Sequence, residues 1–350
     1  MEKMEVELDG LFRINTSYDY PDDYEYKDPA EPRGSAAVGL QVLYSLVLVV
    51  GLLGNILLLA VLAQKRRPWS MSDIFVLHLG VADILLLLTL PFWAAQAAQN
   101  CEWCSEILCR ICGIVFHVNF YCGIFLLVCI SLDHYLSAIH AIQLYSRWGP
   151  RSVHISCLAV WIISLLLTIP DWMYLGHKKD PAPCVRSYSD LSLLSHMFHH
   201  TIGFVLPGAV LIICCAHILV RLLSNPRSLP KQRAVMILSL VAVFFLFWFP
   251  YNIILFLDTV RKSSAKKDTS PTGKLETALM ATAALGCIHS CLRPLLYLGL
   301  CKGFRKQLLA TLRRATVDSN SPLWELGVGE EAVREQNQEL EEQKQMSSGC

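Results

Sequence analysis

Seven stretches of the chain, at about 37–64, 72–99, 107–140, 153–175, 196–223, 233–260 and 276–300, are apolar and long. A bilayer core takes roughly 20 residues of α-helix to cross, so each stretch qualifies as a span. In lipid every backbone N–H and C=O must be paired inside the segment, which leaves a helix as the outcome for such a run. The expected fold class is therefore an all-α membrane protein, a seven-transmembrane helix bundle. Composition agrees, with 54% of the 350 residues hydrophobic and only 17% charged. Seven crossings put the termini on opposite sides. Basic residues cluster at Lys65, Arg66 and Arg67, at Arg147 and Arg151, and at Arg221, Arg227, Lys231 and Arg233. Short basic loops face the cytoplasm, so the N-terminus is expected outside. Arg261, Lys262, Lys266 and Lys267 in the last outer loop run against the rule, and the three loops that agree outweigh them.

The expected domains follow. Residues 1–36 form an acidic extracellular tail without a basic n-region and short apolar core, so no cleaved signal peptide is expected and the first helix directs its own insertion. Residues 37–300 form the bundle. In 301–315, Lys302, Arg305 and Lys306 alternate with Phe304, Leu308 and Leu309 at helical spacing, the pattern of a short interfacial eighth helix on membrane lipid. Residues 316–350 are polar and acidic (Glu330, Glu331, Glu335, Glu339, Glu341, Glu342), with too little apolar content for a core, and are expected to be a disordered cytoplasmic tail. A net charge of +1 offers no field for nucleic acid. Of fourteen cysteines, Cys112, Cys122, Cys129, Cys157, Cys214, Cys215, Cys287 and Cys291 lie in apolar runs, whereas Cys101, Cys104, Cys109 and Cys184 lie in polar segments that can meet an oxidising exterior.

Polar residues inside spans are costly and mark function or helix pairing. Gly54-Asn55, Leu79 to Asp83, Asp133-His134-Tyr135, Trp161, Pro207, Phe247-Trp248-Phe249-Pro250 and Pro294-Leu295-Leu296-Tyr297 occur one set per span. In that order they resemble the rhodopsin-like G-protein-coupled receptors. Thr89-Leu90-Pro91 with Phe92-Trp93, the run Ser131 to Tyr135 with His140-Ala141 and Leu144-Tyr145 narrow the resemblance to chemokine receptors. Cys157 to Trp161, Ala216 to Leu219 and Asn119-Phe120-Tyr121 look most like the type-three subgroup of the CXC receptors. The resemblance covers about 37–310 and implies a plasma-membrane receptor whose partners are CXC chemokines, which are small basic proteins, with G protein and arrestin inside.

On the outer side, the resemblance implies a disulfide from Cys109, twenty-four residues before Asp133, to Cys184 in the second outer loop. Closing so long a loop contributes about 4 kcal/mol in the loop-closure account. The second bridge usual in these receptors is missing, because neither residues 1–39 nor 261–274 contain cysteine. Cys101 and Cys104 are open to a local bridge, free thiols or exchange with Cys109. Asn15-Thr16-Ser17 is a glycosylation sequon, and Tyr18, Tyr20, Tyr24 and Tyr26 stand among acids like the sulfated tyrosines of chemokine receptors. Such a tail either steers a basic ligand or is a solvated linker. Asp171 and Asp258, with Trp93 and Phe116 as walls, match positions where similar receptors hold cationic ligand groups, the alternative being that either acid only caps its helix end.

The expected switch network comprises Asp83, Asn119, Asp133, His134, Tyr135, Cys215, Trp248, Arg293 and Tyr297, and it departs from the family at three positions. His134 replaces the arginine of Asp-Arg-Tyr and lacks its reach and permanent charge. Cys215 stands eight residues after Pro207, where similar receptors carry a tyrosine. Arg293 replaces the asparagine of Asn-Pro-x-x-Tyr. A buried cation needs a partner, and Asp83, which helps to hold sodium in similar receptors, is the natural one. The resemblance thus extends to atypical scavenging receptors, against a conventional signalling receptor driving chemotaxis. The acidic tail either substitutes for phosphates in recruiting arrestin or is merely solvated.

Other classes fare worse. A transporter or channel needs ionisable residues along a continuous path, and only Asp83, Arg293, His78 and His289 hint at one. No H-E-x-x-H or nucleophile elbow points to an enzyme, no motif calls for a cofactor, and Cys101-x-x-Cys104 has no second half to make a metal site.

Overall fold

The computed structural model describes residues 35–64, 69–97, 104–140, 150–174, 196–224, 231–264 and 273–320. Eight helices form among them: α1 Ser35–Ala63, α2 Met71–Ala97, α3 Glu106–His140, α4 Pro150–Tyr174, α5 Leu206–Ser224, α6 Lys231–Ser264, α7 Gly273–Leu300 and α8 Lys302–Asn320. A π-helical turn, His199–Val205, leads into α5. Seven helical segments are long and apolar enough to cross a membrane, the fifth being His196–Ser224 with the π turn inside it. The eighth helix follows α7 directly and extends five residues beyond the stretch whose amphipathic pattern announces it.

Local chemistry sets several helix starts. Ser70 and Asp73 form a reciprocal capping box, with Asp73 Oδ2 accepting from the Ser70 N–H at 2.6 Å and Ser70 Oγ accepting from the Asp73 N–H at 3.3 Å. Ser105 Oγ caps α3 by accepting from the Leu108 N–H at 3.2 Å. Pro150 opens α4 at the position where a missing N–H costs nothing.

In the most apolar 18-residue stretch of α3 two-thirds (67%) is buried, against 28% in those of α1 and α4, so α3 threads the centre while α1 and α4 lie at the periphery. Leu46, Leu53, Leu158 and Leu166 on the outer helices are more than half exposed, as a lipid-facing surface requires. Successive helices run antiparallel. Gln232 Nε2 at the start of α6 donates to the Leu300 carbonyl at the end of α7, and Thr311 of α8 donates to Gln64 beyond α1 at 2.8 Å. Gly54 lets α1 reach α7: a Cβ there would meet Pro294 Cγ at 2.7 Å. With no hydrophobic drive between helices in lipid, such close approach is what holds spans together.

Candidate functional site

Spacing along α7 places His289, Ser290, Arg293 and Tyr297 on one inward face. The first three meet the polar residues of α1, α2 and α3 at the middle of the bundle. Asp83 has no exposed surface, and its Oδ2 is ion-paired to Arg293 Nη1, itself 4% exposed. The same guanidinium nitrogen donates to the Leu79 carbonyl at 3.1 Å. Asn119 Nδ2 donates to Asp83 Oδ1 at 3.2 Å, and His289 Nε2 stands 3.6 Å from that oxygen. Asn55 Nδ2 donates to the carbonyls of Gly51 and Ser290, each at 2.9 Å, which ties α1 to α7 beside the pair. A guanidinium forked between a carboxylate and a helix carbonyl holds α2 to α7 in a medium where neither charge has water.

Trp248, fully buried in α6, lies next to this cluster. Its ring centroid is 5.2 Å from Phe116, 4.8 Å from Phe120, 5.9 Å from Tyr251 and 5.4 Å from His289. Phe116 therefore packs into an aromatic column with Trp248 and Tyr251. Trp93 sits edge-on to Phe92 at 5.2 Å, near the start of α3, and its indole Nε1 is buried without a protein partner. Asp258 is buried on α6, 5% exposed. Asp171 belongs to the end of α4.

At the other end of α3, Asp133, His134 and Tyr135 are half-buried. Imidazole Nε2 of His134 has no hydrogen-bond partner, and the Tyr135 ring tilts against His217 of α5 at 5.4 Å. Cys215 is a free, half-buried thiol packed on the main core. Tyr297 packs on Leu58, Leu62 and Val76 together with Phe304 of α8, whose ring lies 6.2 Å from its own. Cys104 and Cys109 are both disulfide-bonded. Cys101, Cys184, Asn15, Tyr18, Tyr20, Tyr24 and Tyr26 lie outside the described residues. Among the described residues no group of three or more His, Cys, Asp or Glu is placed to hold a metal.

One polar cluster escapes motif reading. His199, in the π turn, lies 2.7 Å from Tyr121 Oη and 3.2 Å from Asn252 Oδ1, joining α3 to α6. Adjacent histidines in an apolar run seven residues before Pro207 are its only signature.

The pattern of the 7 transmembrane receptor (rhodopsin family) matches residues 54–297, from the Gly54-Asn55 turn of α1 to Tyr297 of α7. C-X-C chemokine receptor type 3 of Capra hircus is 37% identical over 314 residues, covering 86% of this chain and 85% of that receptor. The type 3 receptor of Homo sapiens is 39% identical over 282 residues (79% and 76%), and C-X-C chemokine receptor type 5 of Mus musculus is 35% identical over 291 (79% and 77%). The chain belongs to the rhodopsin family of seven-transmembrane receptors and, within it, to the CXC chemokine receptors. It is a multi-pass membrane receptor and not an enzyme.

Proposed function

We infer that the chain is a cell-surface receptor that captures CXC-type chemokines, with its N-terminus outside, and that its coupling to G protein is weakened or absent. The buried Asp83–Arg293 pair carries this reading. It ties α2 to α7 at the heart of the bundle, where the related receptors have a neutral amide in place of Arg293, and breaking it would expose two buried charges. His134 at the end of α3 and Cys215 in α5 remove the arginine and the phenol that similar receptors use at the inner face. A sodium ion on Asp83 would stand against the guanidinium already bound there, so the pair opposes the binding of such an ion.

Capture rests on the acidic tail with Tyr18, Tyr20, Tyr24 and Tyr26, on Asp171 and Asp258 as carboxylates for cationic ligand groups, and on Trp93 as an apolar wall. A Cys109–Cys184 bridge would hold the second outer loop over the bundle mouth, Asn15 would carry glycan, and arrestin would be the inner partner that remains. Cells bearing the receptor and exposed to a panel of labelled CXC chemokines should bind and internalise at least one without a calcium or cyclic-AMP response. His134→Arg, Cys215→Tyr and Arg293→Asn together should bring a response back. A robust response from the unaltered chain would refute the scavenging reading in favour of a conventional chemotactic receptor, whose Trp248, Pro294 and Tyr297 are all present.

A further inference from the structure

The π turn ahead of α5 puts an unusual load of histidine into the bundle. Pro207 has no N–H to give the carbonyl four residues back, and the backbone widens: the Leu206 N–H bonds to the Thr201 carbonyl, five residues earlier. Two adjacent residues, His199 and His200, thereby both face inward and are buried. Gly203 shares that face and admits the ring of Tyr121 so closely that a Cβ would lie 2.5 Å from its Cε1.

The hydrogen bonds around His199 have one consistent direction. Asn252 Nδ2 donates to the Trp248 carbonyl at 2.9 Å, so its Oδ1 faces His199 and can only accept. In the neutral imidazole, which has a single N–H, Nε2 must then carry the proton, and this leaves Nδ1 as acceptor for the Tyr121 hydroxyl. The relay runs Tyr121 O–H to His199, His199 N–H to Asn252, and Asn252 N–H to the backbone of Trp248. A second path leads to the same residue, because the His199 ring stacks on Phe120 at 5.3 Å and 25°, and Phe120 lies 4.8 Å from the Trp248 ring. His199 thus bears on Trp248 through both its carbonyl and its indole.

We propose that His199, in its Nε2–H tautomer, is a positioning residue for ligand capture: it straps α3 to α6 across α5 and fixes where Trp248 rests beneath Phe116 and Tyr251. The role in capture rests on the receptor function inferred above, whereas the strap itself does not. An apolar residue at 199 would take the donor from Asn252 Oδ1 and the acceptor from the Tyr121 hydroxyl inside the bundle, and α6 would keep its aromatic contacts with α3 but lose this hydrogen-bonded link.

The test uses the full chain in nanodiscs. On ligand-free protein with ¹⁵N-labelled histidine, the signal lost in His199→Gln should show the Nε2–H tautomer, and an Nδ1–H tautomer would overturn the relay. Amide exchange over residues 248–256 should rise about five-fold in Tyr121→Phe, which removes one hydroxyl and little volume, and by a similar factor in His199→Phe. The double variant should be no worse than either single, since each breaks one chain. His199→Gln, which offers a donor to Asn252 and an acceptor to Tyr121, should exchange like the native protein. Additive effects, or native exchange in Tyr121→Phe, would sink the strap. With labelled chemokine, Tyr121→Phe should change the dissociation rate by about the same five-fold. An unchanged rate alongside faster exchange would confine His199 to scaffolding and overturn its role in capture. If the native chain holds no chemokine, the role in capture falls with the receptor reading, while tautomer and exchange still decide the strap.

Discussion

Removing Arg293 should reveal how much of the bundle depends on its partner. Arg293→Met leaves Asp83 at zero exposure with Asn119 Nδ2 as its remaining donor, and Asp83→Leu leaves the guanidinium with the Leu79 carbonyl. Breaking a buried pair by deleting one member costs roughly 3–5 kcal/mol. Each orphan keeps one hydrogen bond, so about 3 kcal/mol is expected for each single change. The double variant replaces both charges with apolar groups of similar volume, a change that is close to neutral, within ~2 kcal/mol. Singles that sum to about 6 kcal/mol against a double of about 2 give a coupling of about 4 kcal/mol. At roughly 2–4 °C per kcal/mol, each single should lower the thermal midpoint of the chain in nanodiscs by about 6–12 °C, followed by far-ultraviolet circular dichroism, while the double stays closer to native than either single. A double variant whose loss equals the sum of the singles would refute the pairing. Sodium supplies a second check: exchanging it for an organic cation should leave the native midpoint unmoved, and Arg293→Asn should gain a sodium-dependent rise.

Gly54→Val should drive a side chain into Pro294 and lower the midpoint by about 1–3 kcal/mol equivalent, whereas Gly39→Ala, with nothing within 4 Å, should leave it unchanged or slightly raised; equal effects at the two sites would mean that α1 does not seat on α7 through Gly54. Gln232→Ala should free the Leu300 carbonyl and speed amide exchange at the start of α6 by about five-fold, one hydrogen bond's worth, with α7 little altered; unchanged exchange over 231–236 would show that the contact restrains nothing.

The fold was legible because lipid leaves few choices. An apolar run of sufficient length becomes a helix, and 107–140 on hydropathy is Glu106–His140 in space. Hydropathy is blind to how backbone pairs are closed, so the π turn at His199–Val205 had no signal beyond Pro207. Within the site, Asp83 and Arg293 could be joined from sequence because a buried cation needs an anion and few candidates existed. The His199 strap could not. Its members stand 78 and 53 residues apart, and a lone tyrosine, histidine or asparagine in a span carries little information by itself. Phe116 read as a pocket wall, yet its position was fixed by Trp248 and Tyr251 on a helix that lies far along the chain. Asn55 was recognisable as a polar residue in α1, but its grip on the Ser290 carbonyl depends on Gly51 and Gly54 letting the helices close, which spacing along one helix does not reveal.

The departures at positions 134, 215 and 293 fall where the helices can absorb them. Pro294 seated on Gly54 and Tyr297 packed with Phe304 hold the path of α7 just beyond Arg293 by shape alone. Trp248 is bedded on Phe116, Phe120, Phe244 and Tyr251, with the His289 ring as the one face it shares with the polar cluster. The framework that positions a ligand therefore needs no particular charge at 293, provided that Asp83 stands opposite to neutralise whatever cation lies there. A relative shift of α2 and α7 is different. It must either carry the Asp83–Arg293 pair along intact or separate two charges that have no water to receive them. A mobile ion on Asp83 can leave when helices move; a guanidinium tethered to α7 cannot. On the scavenging function proposed above, the same substitution would spare capture and burden transmission, the combination expected of a receptor that removes its ligand rather than reporting it.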